Sequence, residues 1–233
     1  ELLVRAYRFS DAAHAATADI HGRGEWQGDA WLVSASKPFG PLGFRLAVAG
    51  RHNVRNALAA AACALAAGAP LEAIRHGLER FEPVKGRSRA MSLNLGGRVL
   101  TLVDDTYNAN PDSVRAAIEV LAELPSPRLL VLGDMGEVGE QGPGFHAEVG
   151  ALARERGLEQ VFTLGTLAVH VAGQCPAARH FADLSDLLAA VRRSLPDVAS
   201  VMVKGSRFMK MERVVEDIVL QANEQHGSAV HAA

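Results

Sequence analysis

A chain of 233 residues is long enough for one large domain or two modest ones, and its 48% hydrophobic and 21% charged residues allow a substantial core. A formal charge of -2 offers no basic stripe for gripping a polynucleotide, which removes nucleic acid from the expected partners. The most apolar stretch, 57–67, is too short to cross a bilayer and no charged-then-apolar leader precedes it, so the reading is a cytoplasmic protein with no membrane insertion.

Cys63 and Cys175 are too few for a disulfide framework or a thiolate metal cluster. Cys63 lies within an Ala-rich helical pattern and reads as a small core residue, Cys175 as a loop residue. The sequence opens on Glu1 with no convincing start of a domain, which gives the expectation of a fragment of a longer protein.

Short β-like runs at 2–9, 17–20, 30–34 and 44–48 are punctuated by Gly22, Gly24, Gly28, Pro38, Gly40, Pro41 and Gly43, a pattern that predicts antiparallel hairpins. Trp26 and Trp31 read as packing within them. From Gly50 the period changes. Val54, Leu58, Ala61, Ala62 and Leu65 share one helical side, ended by Gly68 and Pro70; a second helix over 71–80 carries Ile74, Leu78 and Phe81. His52, Asn53 and Asn56 stand in the opening turn of the first helix, where free N–H groups and side-chain amides can meet a ligand, although Asn53 can equally be a plain N-cap. Residues 82–90, Glu-Pro-Val-Lys-Gly-Arg-Ser-Arg-Ala, read as a hinge between domains, with Lys85 and Arg89 as solvated linker charges.

Beyond the hinge, 99–103 is a β-branched and aliphatic run closed by Asp104 and Asp105. Asn110 suits an N-cap, Pro111 the first helical turn and Asp112 the positive end of the dipole, and Val114, Ile118 and Leu121 follow at helical spacing. The segment Asp-Asp-Thr-Tyr-Asn-Ala-Asn is therefore a strand-to-helix turn, at the kind of sheet edge where parallel α/β proteins bind ligands. Strands at 129–132, 160–164, 180–181 and 201–203 then alternate with helices at 143–156, 166–172, 184–193 and 209–223. That alternation predicts a Rossmann-like α/β domain whose mostly parallel sheet is covered on both faces, with a disordered tail after Gln225.

Two further strand ends carry chemistry-bearing residues. Gly133-Asp134-Met135-Gly136-Glu137 is glycine-spaced but is not GxGxxG, and Lys204-Gly205-Ser206-Arg207 is not a Walker loop. Lys204 and Arg207 can either hold a carboxylate or stand as surface cations at a helix start. His146 has no companion at metal-ligand spacing and reads as a partly buried, hydrogen-bonded histidine. No metal ligands are expected within this chain.

The run Val103 to Ser113, VDDTYNANPDS, resembles the motif that opens the C-terminal domain of the Mur ligases. GRHNVRNALAAA from Gly50 resembles the late adenine-side motif of their central domain, and LGDM and VKGSR resemble the edge of the cleft that receives the incoming dipeptide. The resemblance covers about Phe9 to Asn223 with its motifs in order. It implies three parts: 1–85 as the tail end, β-hairpins plus two helices, of a P-loop-type central ATP-binding domain; 86–225 as the family's C-terminal domain; 226–233 as the disordered tail. It also implies ATP-dependent amide formation through an acyl phosphate in peptidoglycan precursor synthesis. Asn56, with His52 beside it, would contact adenine, whose edge suits an amide's paired donor and acceptor. Arg87 would take the catalytic role on ATP phosphate, for which a planar, bidentate cation is well suited; Ser88 departs from the hydrophobic residue many members carry next.

By the same resemblance Asp105 would accept from the ribose hydroxyls, and Tyr107, Asn108, Asn110, Asp134, Lys204 and Arg207 would receive substrate. The Tyr-Asn-Ala-Asn form is similar to the branch that joins D-Ala-D-Ala to UDP-MurNAc-tripeptide, working as a monomer with ATP and with Mg²⁺ held by ligands upstream of this chain. Because no GxxxxGK[ST] loop is present, this stretch alone is expected to be inactive. The alternatives are a non-catalytic nucleotide- or peptide-binding module, or another amide ligase of the same architecture, such as a different Mur ligase or folylpolyglutamate synthase.

Overall fold

Inward and outward residues alternate along the first strands, and that period of two builds a one-faced sheet. The computed structural model describes residues 9–10, 20–36 and 41–230, and the chain divides into two units, Glu1–Pro83 and Val84–Ala233. In the first, β1 (Phe9–Ser10), β2 (Ile20–Gln27), β3 (Ala30–Ser36) and β4 (Leu42–Leu46) form a sheet in that order. Trp31, Val33 and Ala35 of β3 and Leu42, Phe44 and Leu46 of β4 are buried. Against them pack α1 (Arg51–Ala66), through Val54, Ala57, Leu58, Ala61, Ala62 and Leu65, and α2 (Leu71–Glu79), through Ile74.

Three expectations for this unit are corrected. β2, β3 and β4 are an antiparallel meander, but β1 pairs parallel to β2, which a tight hairpin turn cannot connect. Most of the runs expected at 2–9 and 17–20 lies outside the described residues. Gly22 and Gly24 are strand residues: a Cβ on Gly22 would stand 2.6 Å from Leu58 Cδ2 and one on Gly24 3.0 Å from Val54 Cγ2, so glycine lets α1 lie close on the sheet. Cys63 is exposed, because the buried stripe of α1 runs through 61, 62 and 65 and turns 63 outward. Trp26 and Trp31 pack edge to face with centroids 5.3 Å apart, as hairpin packing requires.

In the second unit β5 (Arg89–Leu95) turns at Gly96-Gly97 into β6 (Arg98–Asp105), followed by α3 (Pro111–Ala122), β7 (Arg128–Gly133), α4 (Gly142–Glu155), β8 (Gln160–Leu164), α5 (Val169–Ala172), β9 (Ala178–Phe181), α6 (Leu184–Ser194), β10 (Ser200–Lys204) and α7 (Glu212–Val230). The sheet runs β5-β6-β10-β7-β8-β9, with β5 antiparallel and the other strands parallel. Leu100, Leu102, Leu129, Val131, Val201 and Val203 pack on one face with Leu187 and Val191 of α6 and Val214 and Ile218 of α7. α3 packs on α4, and α4 on α5, over the other.

β7, β8 and β9 step outward, and α6 returns the chain so that β10 fits between β6 and β7. After β6 the chain leaves to α3, and after β10 to α7, so neighbouring strands send their continuations to opposite faces. Such a switch point, here at the carboxyl ends of β6 and β10, is where α/β sheets form their ligand crevice. Two helix boundaries differ from the periodic reading. Residues 166–168 precede α5 because their N–H groups bond to the Asp134 side chain, and α7 runs to Val230, through part of the stretch expected to be a disordered tail. Gln221, Ala222, Glu224 and Gln225 are good helix formers, and extending an existing helix gains a hydrogen bond per residue.

Candidate functional site

At the end of β6 the two carboxylates part company. Asp104 is buried, accepting from Gly86 N at 3.1 Å and from Thr106 N and Oγ1 at 3.3 and 2.6 Å. It fastens the hinge loop to the turn. Asp105 keeps a 16% exposed side chain: Oδ1 accepts from Ser88 N at 2.9 Å and Ser88 Oγ at 3.3 Å, and Oδ2 from Lys204 Nζ at 2.5 Å. A carboxylate offers about four lone-pair sites. Three are filled, leaving one on Oδ2.

Arg87 belongs to the same cluster. Gly86 has φ +80 and a Cβ there would stand 2.8 Å from Tyr107 N, so only glycine allows the loop to lie against the turn, where Tyr107 N donates to Gly86 O at 2.9 Å. The Arg87 guanidinium carbon lies 4.2 Å from the centroid of the Tyr107 ring, a cation–π contact on an exposed tyrosine. Among the described residues no carboxylate pairs with Arg87, so its five N–H donors face outward unclaimed by an anion.

The remaining expected residues divide sharply. Asn110 is the N-cap of α3: its Oδ1 accepts from Ser113 N at 2.8 Å, and Ser113 Oγ accepts from Asn110 N at 3.0 Å. Asn108 Oδ1 accepts from Ala109 N, and its carbonyl from Lys204 Nζ at 2.9 Å. Lys204, expected to hold an incoming carboxylate, is 2% exposed, and its ammonium lies on Asp105 and Asn108. Asp134, expected to receive substrate, is similarly engaged. It is buried, and its carboxylate accepts from Thr166 N, Thr166 Oγ1, Leu167 N and Ala168 N at 2.7–3.3 Å, which leaves nothing for substrate. Its carbonyl accepts from Ser206 N at 3.0 Å and Ser206 Oγ at 2.6 Å, so the loop after β10 is tied to the loop after β7. Arg207 is exposed, with a surface pair to Glu212 at 3.1 Å.

His146 is fully buried rather than partly so. Its Nε2 accepts from Met135 N at 3.0 Å, its Nδ1 donates to Gly142 O at 2.7 Å, and burial pushes its pKa below the ordinary histidine value. Sequence reasoning missed Ser88, Thr106 and Ser206. The signal for Ser88 was its departure from a hydrophobic residue, and Ser206 sat unweighed between two cations.

In the first unit, His52 is exposed in the first turn of α1 and Asn56 in the second. The N-cap is Gly50, not Asn53, whose Nδ2 instead donates to Ala49 O at 2.7 Å while its Oδ1 accepts from Asn56 Nδ2 at 3.2 Å. Among the described residues, no three His, Cys, Asp or Glu side chains are grouped to hold a metal ion.

Residues 79–207 match the family described as Mur ligase, glutamate ligase domain. The chain is 39% identical over 188 residues to the UDP-N-acetylmuramoyl-tripeptide--D-alanyl-D-alanine ligase of Escherichia coli (strain K12), covering 80% of this chain and 40% of that protein. To its namesake in Bacillus subtilis (strain 168) it is 33% identical over 184 residues, 76% of this chain and 40% of that one. Among solved structures, MurF from Acinetobacter baumannii superimposes with a TM-score of 0.73 at 31% identity over 91% of this chain and 46% of that one. A MurF ligase from Thermotoga maritima in complex with ADP shares the fold, with a TM-score of 0.69 at 21% identity over 91% and 48%. The chain thus spans about two fifths of the length of the curated relatives it matches. With a family match running over more than half of it, the chain belongs to the Mur ligase family.

Proposed function

We propose that this chain is the C-terminal part of an ATP-dependent peptide ligase that joins D-Ala-D-Ala to UDP-MurNAc-tripeptide, with the second unit supplying the ribose and phosphate contacts. The observation that carries the reading is the Asp105 edge at the β6–β10 switch point. One acceptor site remains on Oδ2, which suits a ribose hydroxyl, and an unpaired, ring-supported guanidinium stands on the adjoining loop, which suits a phosphate. Asn56, with His52 beside it, offers an amide for the adenine edge on the first unit. ATP is supported by the ADP named with the Thermotoga maritima relative. Mg²⁺, when bound, would offset charge on the phosphates, and its ligands are proposed to lie in the part of the enzyme upstream of this chain.

In the proposed reaction an oxygen of the tripeptide carboxylate attacks the γ-phosphorus, the bond to ADP breaks, and an acyl phosphate forms. The amine of D-Ala-D-Ala then attacks the acyl carbon, an amide forms and inorganic phosphate leaves. What this chain's residues contribute is placement and charge: Arg87 attracts the γ-phosphoryl oxygens, Asp105 fixes the sugar, and the 107–110 turn with exposed Arg207 borders the side where the dipeptide arrives. Acting as a monomer in the cytoplasm is part of the same proposal. The 233-residue stretch alone has no GxxxxGK[ST] loop and is proposed to be inactive.

The test is turnover by the full-length protein. ADP release dependent on both UDP-MurNAc-tripeptide and D-Ala-D-Ala, and at least 100-fold slower with single amino acids, is the expected outcome. Equal rates with a single amino acid would reassign the chain to another branch of the family.

A further inference from the structure

We infer that Lys204 is a positioning residue, whose buried ammonium holds Asp105 and the 107–110 turn in the arrangement that nucleotide meets. The inference rests on the nucleotide reading of Asp105 above. Lys204 ends β10, in register with Asp105 of β6 on one side and Leu132 of β7 on the other, so its side chain starts beneath the crevice and not beyond it. Its side chain is 3% exposed, and two of its three donors lie on Asp105 Oδ2 at 2.5 Å and Asn108 O at 2.9 Å. An acceptor carboxylate would have to displace Asp105 to reach it.

The same ammonium joins three segments. Through Asp105 it reaches Ser88, the neighbour of Arg87; through Asn108 it reaches the turn that carries Tyr107; and the chain runs on from Lys204 to Ser206, which is fastened to the Asp134 carbonyl. Losing one member of a largely buried ion pair leaves the other charge uncompensated, so the remaining carboxylate turns toward water. That turn alters the Oδ2 site offered to a ribose hydroxyl. Lys204 therefore acts on nucleotide through Asp105 and makes no direct contact with the acceptor.

Steady-state kinetics of the full-length ligase with D105N, K204M, K204Q, K204R and the K204M/D105N double variant test this, with a thermal melt of each. K204M is expected to raise the ATP KM at least tenfold and leave the D-Ala-D-Ala KM within twofold, whereas in the D105N background the same change adds less than threefold. K204R, which keeps the charge, is expected to regain most of the loss. K204Q, which keeps a donor without the charge, carries the K204M expectation where Met does not fold. A tenfold rise in the D-Ala-D-Ala KM at constant ATP KM, or full additivity with D105N, overturns the inference. An unchanged ATP KM in D105N alone overturns the nucleotide reading first, and the inference with it.

Discussion

Two carboxylates stand at the carboxyl ends of β6 and β7, the two strands that flank β10, and have opposite fates. Asp134 after β7 receives four donors from Thr166, Leu167 and Ala168, and is sealed under its own loop. Asp105, the last residue of β6, receives three, and stays partly exposed beside an unpaired arginine. Both stand in segments that resemble a family motif, yet only one keeps an acceptor site open. The lesson is that a strand-end carboxylate becomes a ligand group only if the neighbouring loops leave some of its lone pairs unfilled, which depends on contacts far away in sequence.

The largest effect that would sharpen this contrast lies at the open end. R87A in the full-length ligase is expected to lower kcat/KM by about 10³-fold, equivalent to about 4 kcal/mol, because an arginine on a transferring phosphoryl group is worth that much or more. Stability should change by less than about 1 kcal/mol, since only an exposed cation–π contact is lost. A drop below tenfold with nucleotide binding intact would move the phosphate contact elsewhere.

At the closed end the loss should fall on the fold. D134A leaves the N–H groups of Thr166, Leu167 and Ala168 without their acceptor in a buried place, costing about 3 kcal/mol and lowering Tm by roughly 6–12 °C. Thermal unfolding of the variant reads this directly. An unchanged Tm with a raised D-Ala-D-Ala KM would restore Asp134 to the substrate and erase the contrast.

A smaller effect is expected of G86A. Alanine must adopt φ +80 and bring Cβ to 2.8 Å from Tyr107 N, so about 2 kcal/mol of stability should be lost as the loop lifts from the turn. The Arg87–Tyr107 contact should loosen with it, raising the ATP KM. Loss of stability alone, with ATP KM unchanged, would show that Arg87 finds its place without that loop.

How much of this was legible in advance follows the range of the contacts involved. The strand, turn and cap around 99–113 were readable because the apolar run, Asn110, Pro111 and the helical spacing are all local. Which of Asp104 and Asp105 faces the crevice was not, since alternation separates them but leaves open which face is covered. Lys204 read as either a carboxylate holder or a surface cation because the partner that buries it is 99 residues away, and the donors that close Asp134 are more than 30 residues downstream. Cys63 was misjudged for a milder reason: an Ala-rich helix hides its buried stripe, as alanine is small enough for either side.

The smallest effect concerns what holds the closed loop. His146 is fully buried, with Nδ1–H on Gly142 O and Nε2 accepting from Met135 N, so only the neutral ring satisfies both neighbours. A proton on Nε2 would face the Met135 N–H, and burial holds the folded pKa below the ordinary value. Above about pH 6.5 the ring is neutral whether the chain is folded or not, and it adds no pH dependence. Below that, the unfolded chain takes up a proton that the folded chain refuses, so stability falls with pH until the lowered folded pKa is reached, at no more than about 1.4 kcal/mol per pH unit. H146Q, which has a donor and an acceptor but no titration in this range, should start less stable and lose less between pH 7 and pH 5. Parallel losses in the two proteins would mean that the imidazole accepts its proton within the fold, and that the Asp134 loop is held by something other than the Met135–His146 bond.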